Sequence, residues 1–317
     1  MAHPIRFGIQ TGQQLVAWQD MLSLWQRADA WGYDSLWNFD HFYPIFVDPD
    51  GPCLEAWTTL SALAQATRRA RIGTLVNGNT YRNPCLTAKM AATLDEISGG
   101  RLNLGIGAGW FELEHQAMGF DFKNVPRRLA ALDEACQIIK GMFTQPRTTL
   151  RGRHYTVTDV IGLPKPVQQP HPPIMIGGTG EKVLLKVVAR HADMWNASAA
   201  AERMAQLIGI INRHGEGVGR DTSAIEHTVM IPLAYKADAD RQAFMCKLVA
   251  RMRNTSPEEA RKGIMIGDRQ ECFDTIERYR AAGVTHFIFM LFQPVHEDEI
   301  QAFAEEVIPA LRSRSTA

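Results

Sequence analysis

The chain has 317 residues, of which 45% are hydrophobic and 21% are charged. This balance is typical of a globular protein with a substantial core and excludes a largely disordered chain. Lysine plus arginine and aspartate plus glutamate number 34 each, so no positive excess favours nucleic acid or an anionic membrane surface. The first seven residues hold no apolar run of signal-peptide length, and no stretch of about 18 apolar residues follows, so we expect a cytoplasmic protein.

Short apolar runs alternate along the chain with longer amphipathic segments, a pattern that predicts repeated βα units around a parallel sheet. Strands are predicted over residues 5–10, 35–38, 71–76, 102–106, 174–176, 194–196, 228–235 and 286–292. Helices are predicted over residues 15–28, 55–66, 84–98, 129–142, 201–214, 273–282 and 297–311, with two more beginning at Glu181 and Asp238.

Local signals mark several helix ends and two insertions. Gly32 is placed to stop the first helix, and Asn83 followed by Pro84 predicts an N-cap and a first-turn proline. Residues 144–173 are rich in proline and glycine and predict an excursion with a short hairpin. A second insertion, over residues 255–268, contains a helix start capped by Ser256.

Eight predicted strands, each followed by at least one helix, favour a closed (βα)8 TIM barrel over an open doubly wound sheet. The insertions follow the fourth and seventh strand–helix units. Barrels of this type commonly exceed about 250 residues as one unit, so residues 1–317 are predicted to form a single domain.

Several familiar motifs are missing from the sequence. The ten histidines include no HExxH motif and no pair at helical spacing, so no metal site is predicted. The five cysteines are widely spaced without a CxxC pair, and reduced thiols are expected. Gly105, Gly107 and Gly109 do not form GxGxxG, because position 110 is Trp, which disfavours a Rossmann nucleotide site.

In a barrel, candidate catalytic residues lie where strands end at the carboxyl face. Asp40 and His41 follow the second strand, and an Asp beside a His can orient an imidazole for proton exchange near neutral pH. Alternatively, the pair only satisfies backbone groups in a loop. Gly107 and Gly109 follow the fourth strand, where missing Cβ atoms would let a flat ring approach the backbone.

The stretch Gly177 to Lys182 leaves the fifth strand and opens a helix. Free backbone N–H groups and the helix dipole at such a start favour an anion such as phosphate. The alternative is an ordinary helix start with Thr179 or Gly180 as its cap. No GxxxxGK[ST] frame fits, so this segment is not a Walker A loop.

Four segments together resemble the luciferase-like monooxygenase superfamily, and within it the deazaflavin-dependent branch. They are SLWNFDHFYP, IGTLVNGNTYRNP, ISGGRLNLGIGAGWFELEHQAMGFDF and PPIMIGGTGEKVLLKVVARHADMWN. The resemblance covers nearly the whole chain in order. It implies an oxidoreductase with a barrel fold, usually a homodimer, that binds coenzyme F420 or FMN noncovalently.

The resemblance also assigns roles to particular residues. It implies that Asp40 and His41 lie beside the reactive ring carbon. The implied cofactor-binding residues are Leu75, Val76 and Asn77 behind the central ring, Gly107, Ala108, Gly109 and Trp110 after strand four, and Gly177, Gly178 and Thr179 around the phosphate. The peptide bond between Leu75 and Val76 is expected to be cis, against the alternative of a trans strand end with a turn at Asn77 and Gly78.

One departure from the family pattern bears on the substrate. Deazaflavin relatives that act on a sugar phosphate carry a Glu directly after the glycine, where this chain has Trp110. The sequence also shows no match to the cationic cluster that such a substrate requires, so this role is disfavoured.

Three functional hypotheses follow. The first is an F420-dependent oxidoreductase that moves a hydride to or from a small organic substrate, with His41 exchanging the proton. The second is a reduced-FMN monooxygenase served by a separate reductase. The third is a catalytically silent barrel, which a filled cavity or an outward-pointing His41 would favour.

Overall fold

The computed structural model describes residues 3–314. Within them the strands are Arg6–Thr11 (β1), Ser35–Asn38 (β2), Arg71–Thr74 (β3), Asn77–Gly78 (β4), Leu102–Gly107 (β5), Thr148–Arg151 (β6), Thr156–Val160 (β7), Ile174–Gly177 (β8), Met194–Ala197 (β9), Glu226–Tyr235 (β10), Met265–Gly267 (β11) and His286–Leu291 (β12).

The helices of the same range are Trp18–Trp31 (α1), Ala56–Ala66 (α2), Pro84–Ser98 (α3), Glu112–Met118 (α4), Val125–Thr144 (α5), Leu184–His191 (α6), Ala201–Val218 (α7), Ala239–Arg253 (α8), Pro257–Arg261 (α9), Arg269–Ala281 (α10), Glu297–Glu306 (α11) and Ile308–Arg314 (α12). No helix between residues 3 and 314 has both the length and the apolar character needed to cross a bilayer.

Eight parallel strands close into a barrel in the order β1, β2, β3, β5, β8, β9, β10, β12. The ring closes where β12 pairs with β1, with Phe289 opposite Ile9. The predicted (βα)8 barrel is therefore confirmed. The two insertions also lie where expected: the antiparallel hairpin β6–β7 follows α5, and α9 with β11 follows α8.

The predicted helix ends were accurate where a capping residue decides the boundary. Gly32 ends α1 in the left-handed conformation, and the Asn83 side chain accepts a hydrogen bond from the N–H of Cys85 at the start of α3. The Ser256 side chain likewise caps α9.

Other boundaries differ from the prediction. The third strand ends at Thr74 rather than Val76, because the chain leaves the sheet there and pairs again with β5 as β4. The helix after strand five begins at Leu184 rather than Glu181. The helix α10 begins at Arg269 instead of Phe273, because Asp268 and Glu271 form a capping box. The strand β11, the short helix α4 and the division of the last helix into α11 and α12 were not predicted.

Successive strand residues serve two apolar layers, since side chains alternate between the faces of a strand. Leu36, for example, belongs to the large cluster shared with the helices, whereas its neighbour Trp37 belongs to a small cluster of central side chains. Trp37 packs against Gly73, where an added Cβ would lie 2.6 Å from the indole ring. The small cluster also includes Leu75, and the open space of the barrel lies beside that residue.

Candidate active site

A cavity of about 1140 Å³ opens at the carboxyl ends of the barrel strands. Loops that follow parallel strands converge at this face, which is where enzymes of this fold hold their active sites. All predicted site residues except Thr179 line this cavity: Asp40, His41, Leu75, Val76, Asn77, Gly107, Ala108, Gly109, Trp110, Gly177 and Gly178. The strand ends that are far apart in sequence are thus brought together around one space.

His41 follows β2 and has 7% of its surface exposed. Its Nδ1 lies 3.0 Å from Oε2 of Glu114, and its ring packs against Phe39, Trp110 and Phe111. No residue in the described part of the chain hydrogen bonds to Nε2. A catalytically silent barrel would be favoured by a filled cavity or an outward-pointing His41. Here the cavity is open and His41 lies in its wall.

Glu114 holds the His41 ring, and the sequence patterns did not identify it. It is fully buried; its Oε2 accepts a hydrogen bond from the Tyr81 hydroxyl at 2.5 Å, and its Oε1 accepts from the N–H groups of Phe42 and Tyr43. Burial raises the pKa of Glu114, but the hydrogen bonds from His41 and Tyr81 outweigh burial, and the net pKa is lowered. A carboxylate only accepts hydrogen bonds, so Nδ1 of His41 carries a proton and Nε2 is the nitrogen available for exchange.

Asp40 does not hold the imidazole, and the prediction that it orients His41 is wrong. Its Oδ2 accepts hydrogen bonds from the N–H of Gly78 at 2.9 Å and from Arg82 at 2.7 Å. Arg82 also donates to Oδ1 of Asn77 at 3.1 Å. Burial raises the pKa of Asp40 more than the Arg82 guanidinium lowers it. Asp40 and Arg82 therefore anchor the segment that follows β3.

The segment between β3 and β4 has the backbone that the resemblance implied. The peptide bond between Leu75 and Val76 is cis. The N–H of Leu75 donates to the carbonyl oxygen of Asn38 at 2.8 Å, and Asn77 then lies opposite Ile106 of β5. The alternative of a plain trans strand end is contradicted. Leu75, Val76 and Asn77 form one continuous part of the cavity wall.

The glycines at the ends of strands four and five pack closely against the protein's own side chains. A Cβ on Gly107 would lie 2.9 Å from a Val76 methyl group, and a Cβ on Gly177 would lie 3.2 Å from both Val76 methyl groups. Gly109 has φ +75°, and a Cβ there would lie 2.3 Å from Oγ1 of Thr80. These contacts by themselves require a residue without a Cβ at the three positions, and all three glycines also line the cavity.

The predicted anion site lies at the expected turn, but the N–H groups that are free there are not all the ones expected. The N–H of Gly178 is already occupied, since it donates to the carbonyl oxygen of Asn196 at 2.9 Å. The chain then makes a turn before α6 begins. Three consecutive N–H groups of this turn have no acceptor anywhere in residues 3–314: those of Thr179, Gly180 and Glu181. Free N–H groups ahead of a helix favour an anion, and these lie just outside the cavity edge.

Two aromatic side chains cover the mouth of the cavity. Trp110 is 52% exposed and stacks on Phe46 with ring centroids 5.7 Å apart. Trp110 also packs against the His41 ring at 5.4 Å. Trp110 thereby covers one side of the His41 ring.

The family model for luciferase-like monooxygenases matches residues 1–260. The chain belongs to this family. The family prediction made from the four sequence segments is thus confirmed, and the barrel with its site at the carboxyl face agrees with it.

Individual family members extend the comparison. The F420-dependent glucose-6-phosphate dehydrogenase of Microbacterium testaceum (strain StLB037) is 27% identical over 99% of this chain and 99% of its own length. The FMNH(2)-dependent dimethylsulfone monooxygenase of Pseudomonas putida is 26% identical over 81% of this chain and 78% of its own length. Among solved structures, an F420-dependent secondary alcohol dehydrogenase in complex with an F420-acetone adduct shares the fold, with a TM-score of 0.85 at 24% identity over 98% of this chain and 100% of that one.

Proposed function

We propose that this chain is an oxidoreductase that uses coenzyme F420 to move a hydride to or from a small organic substrate. The observation that carries the proposal is His41, whose Nδ1 is held by a buried carboxylate while the other side of its ring faces an open cavity. Family membership and the F420-dependent relatives support the choice of cofactor. When bound, a deazaflavin supplies a ring carbon that accepts or donates a hydride.

The residues present fit such a cofactor. The cavity of about 1140 Å³ is somewhat larger than the roughly 300–1,000 Å³ usual for ligand pockets, so it has room for a ring system and a substrate together. The free N–H groups of the turn before α6 suit the phosphate. We propose as cofactor-binding residues Leu75, Val76, Asn77, Gly107, Ala108, Gly109, Trp110, Gly177, Gly178 and Thr179.

We propose a different role in catalysis for each of three residues. His41 exchanges the proton that accompanies hydride transfer, through Nε2, and Glu114 keeps Nδ1 protonated and the ring in place. Asp40 acts indirectly. Its hydrogen bonds from Gly78 and Arg82 hold the segment after β3, which would contact the cofactor.

Titration of the purified protein with F420 and, separately, with oxidised and reduced FMN tests the cofactor assignment. We expect saturable binding of F420, followed by changes in its absorbance and fluorescence, and much weaker binding of either form of FMN. Tight binding of reduced FMN together with oxygen consumption would instead support the monooxygenase hypothesis, in which a separate reductase supplies the reduced flavin. Absence of binding by all three would contradict both.

Replacement of His41 by Ala tests the catalytic assignment. Turnover should fall by roughly 10²- to 10⁴-fold, the usual contribution of a positioned acid or base, while the dissociation constant of F420 changes little. Stopped-flow and equilibrium titrations measure the two quantities. An equal loss of both would assign His41 to binding.

We further propose that the chain forms a homodimer of single-domain subunits over residues 1–317 and works in the cytoplasm. The family resemblance supports the dimer. Sedimentation velocity at micromolar concentration should give a mass near twice 35.4 kDa. A monomer at that concentration would contradict the dimer.

A further inference from the structure

The cavity has two walls of different origin. The proposed cofactor residues follow β3, β5 and β8, which are neighbours in the barrel. The opposite wall comes from the segments after β1, β2 and β12 and from helix α8. We call it the outer wall. Its large apolar side chains include Leu15, Phe46, Phe244, Leu248, Met252 and Phe292.

The outer wall contains two large apolar side chains that are more than half exposed. Phe46 is 64% exposed and Phe244 is 55% exposed, and both face the cavity. Large apolar side chains that border a cavity mark a surface that a ligand covers. Met252 adds a flexible, polarisable side chain that can adapt to ligands of irregular shape.

The charges around the cavity do not suit an anionic substrate. The carboxylates in its lining are Asp20, Asp40 and Glu297. In the described chain, Arg251 is the one lysine or arginine side chain of the lining, and it lies in the last turn of α8. Asp40 is paired with Arg82. Glu297 is likewise paired with Arg27. Among residues 3–314, a phosphate brought into this space would therefore meet one unpaired cation, Arg251, and one unpaired carboxylate, Asp20, which do not neutralise its charge, and burying an unpaired charge is costly.

We propose that the substrate is an uncharged, mainly apolar organic molecule that lies along the outer wall, with its reacting group at His41. Within the described residues, the lining offers a phosphorylated substrate a single unpaired arginine, Arg251, and no cluster of cations. This inference rests on the proposed function in one respect, namely that the cavity is where the substrate binds. It extends that function by naming the chemical class of the substrate.

Calorimetric titration with 2-butanol, 2-hexanol and 2-octanol tests the class directly, on the F420-loaded protein and on the cofactor-free protein. Affinity should rise roughly fourfold for each added methylene group, as expected when each one is removed from water. Glucose 6-phosphate should bind more weakly than 2-octanol. An affinity independent of chain length, or tighter binding of the sugar phosphate, would overturn the proposal.

Substitutions in the outer wall locate the binding surface. Phe46 has φ +63°, a conformation that Asn tolerates better than most residues, so Phe46→Asn removes the ring without straining the backbone. Phe244→Gln keeps a helix-compatible residue on α8. Each change should weaken 2-octanol several-fold and leave F420 affinity unaltered. The control is Leu86→Gln on α3, an equally exposed apolar residue outside the cavity lining. If both wall variants bind 2-octanol as well as the wild type does, the outer wall is not the substrate surface.

The two proposals fail in distinguishable ways. If the alcohols show the chain-length dependence but F420 does not bind, the cofactor assignment is wrong and the substrate class stands. If F420 binds and the alcohol affinities are flat, the substrate class is wrong and the cofactor assignment stands.

Discussion

His41 and His115 are both buried near the candidate site, yet their ring nitrogens have different surroundings. His115 has both nitrogens occupied, one by the carbonyl oxygen of Phe111 and the other by Oγ1 of Thr80, each at 2.7 Å. His41 has only Nδ1 engaged, by Glu114. A histidine with both nitrogens committed inside the protein is structural, so proton exchange is expected at His41 alone.

Glu114→Gln should lower turnover by about tenfold or more, and by less than the loss of His41, because the neutral amide holds the ring less firmly. Cofactor affinity should be unchanged, which separates positioning from binding. The matched control is Glu112→Gln, an exposed residue on the same helix whose carboxylate contacts Gln116 instead. Similar losses in both variants would show that α4 had been disturbed as a whole.

The ionisation of Glu114 also has a predicted pH range. Its net pKa is below the usual carboxyl value of about 4.3, so the group stays charged at and above pH 5. Infrared difference spectra of the wild type against Glu114→Gln should therefore show a carboxylate band throughout pH 5 to 8 and a protonated-carboxyl band only in stronger acid. A protonated-carboxyl band at pH 6 to 7 would contradict the assignment of an ionised Glu114.

The turn between β8 and α6 is the element that we propose binds the cofactor phosphate. Gly180→Pro removes one free N–H, whereas Gly180→Ala keeps it and adds a Cβ that would lie 3.3 Å from Leu184. A hydrogen bond to a charged group contributes roughly 1.5–3 kcal/mol, so the proline variant should bind F420 about ten- to a hundredfold more weakly than the alanine variant. Equal affinities in fluorescence titrations would place the phosphate elsewhere.

The other end of the barrel affects the stability of the whole molecule. His227 lies near the start of β10, and burial, with a smaller contribution from His3, lowers its pKa from 6.5 to about 4. The unfolded chain therefore binds this proton more tightly than the folded one. The stabilisation is complete above pH 6.5 and is lost progressively as the pH falls towards 4.

This shift predicts a loss of roughly 2 kcal/mol in unfolding free energy between pH 7.5 and pH 5 from His227. Urea unfolding at both pH values would measure it, with His227→Gln as the comparison. The variant should be less sensitive to pH by that amount, whatever its stability at pH 7.5. Parallel pH dependences for the two proteins would show that His227 does not contribute.

Much of the fold was predictable because it depends on short-range physics. Alternating apolar runs predict βα units, and capping residues such as Gly32 and Asn83 act within a few residues of the helix end that they define. Active sites are expected at the carboxyl ends of barrel strands, so His41 could be proposed from its position after strand two. The roles of Leu75, Val76 and Asn77 were implied by the family resemblance.

The partners of these residues depend on the closed barrel and have no local signature. Glu114 is 73 positions from His41, and Arg82 is 42 positions from Asp40. In the sequence, Asp40 was the nearest carboxylate to His41, but the Gly78 N–H and Arg82 take up its Oδ2 in the folded chain. The sequence by itself therefore determined the βα units and the strand ends that carry the site. Only the tertiary structure decided which carboxylate holds the imidazole, because that contact depends on where barrel closure places a short helix that no local pattern predicts.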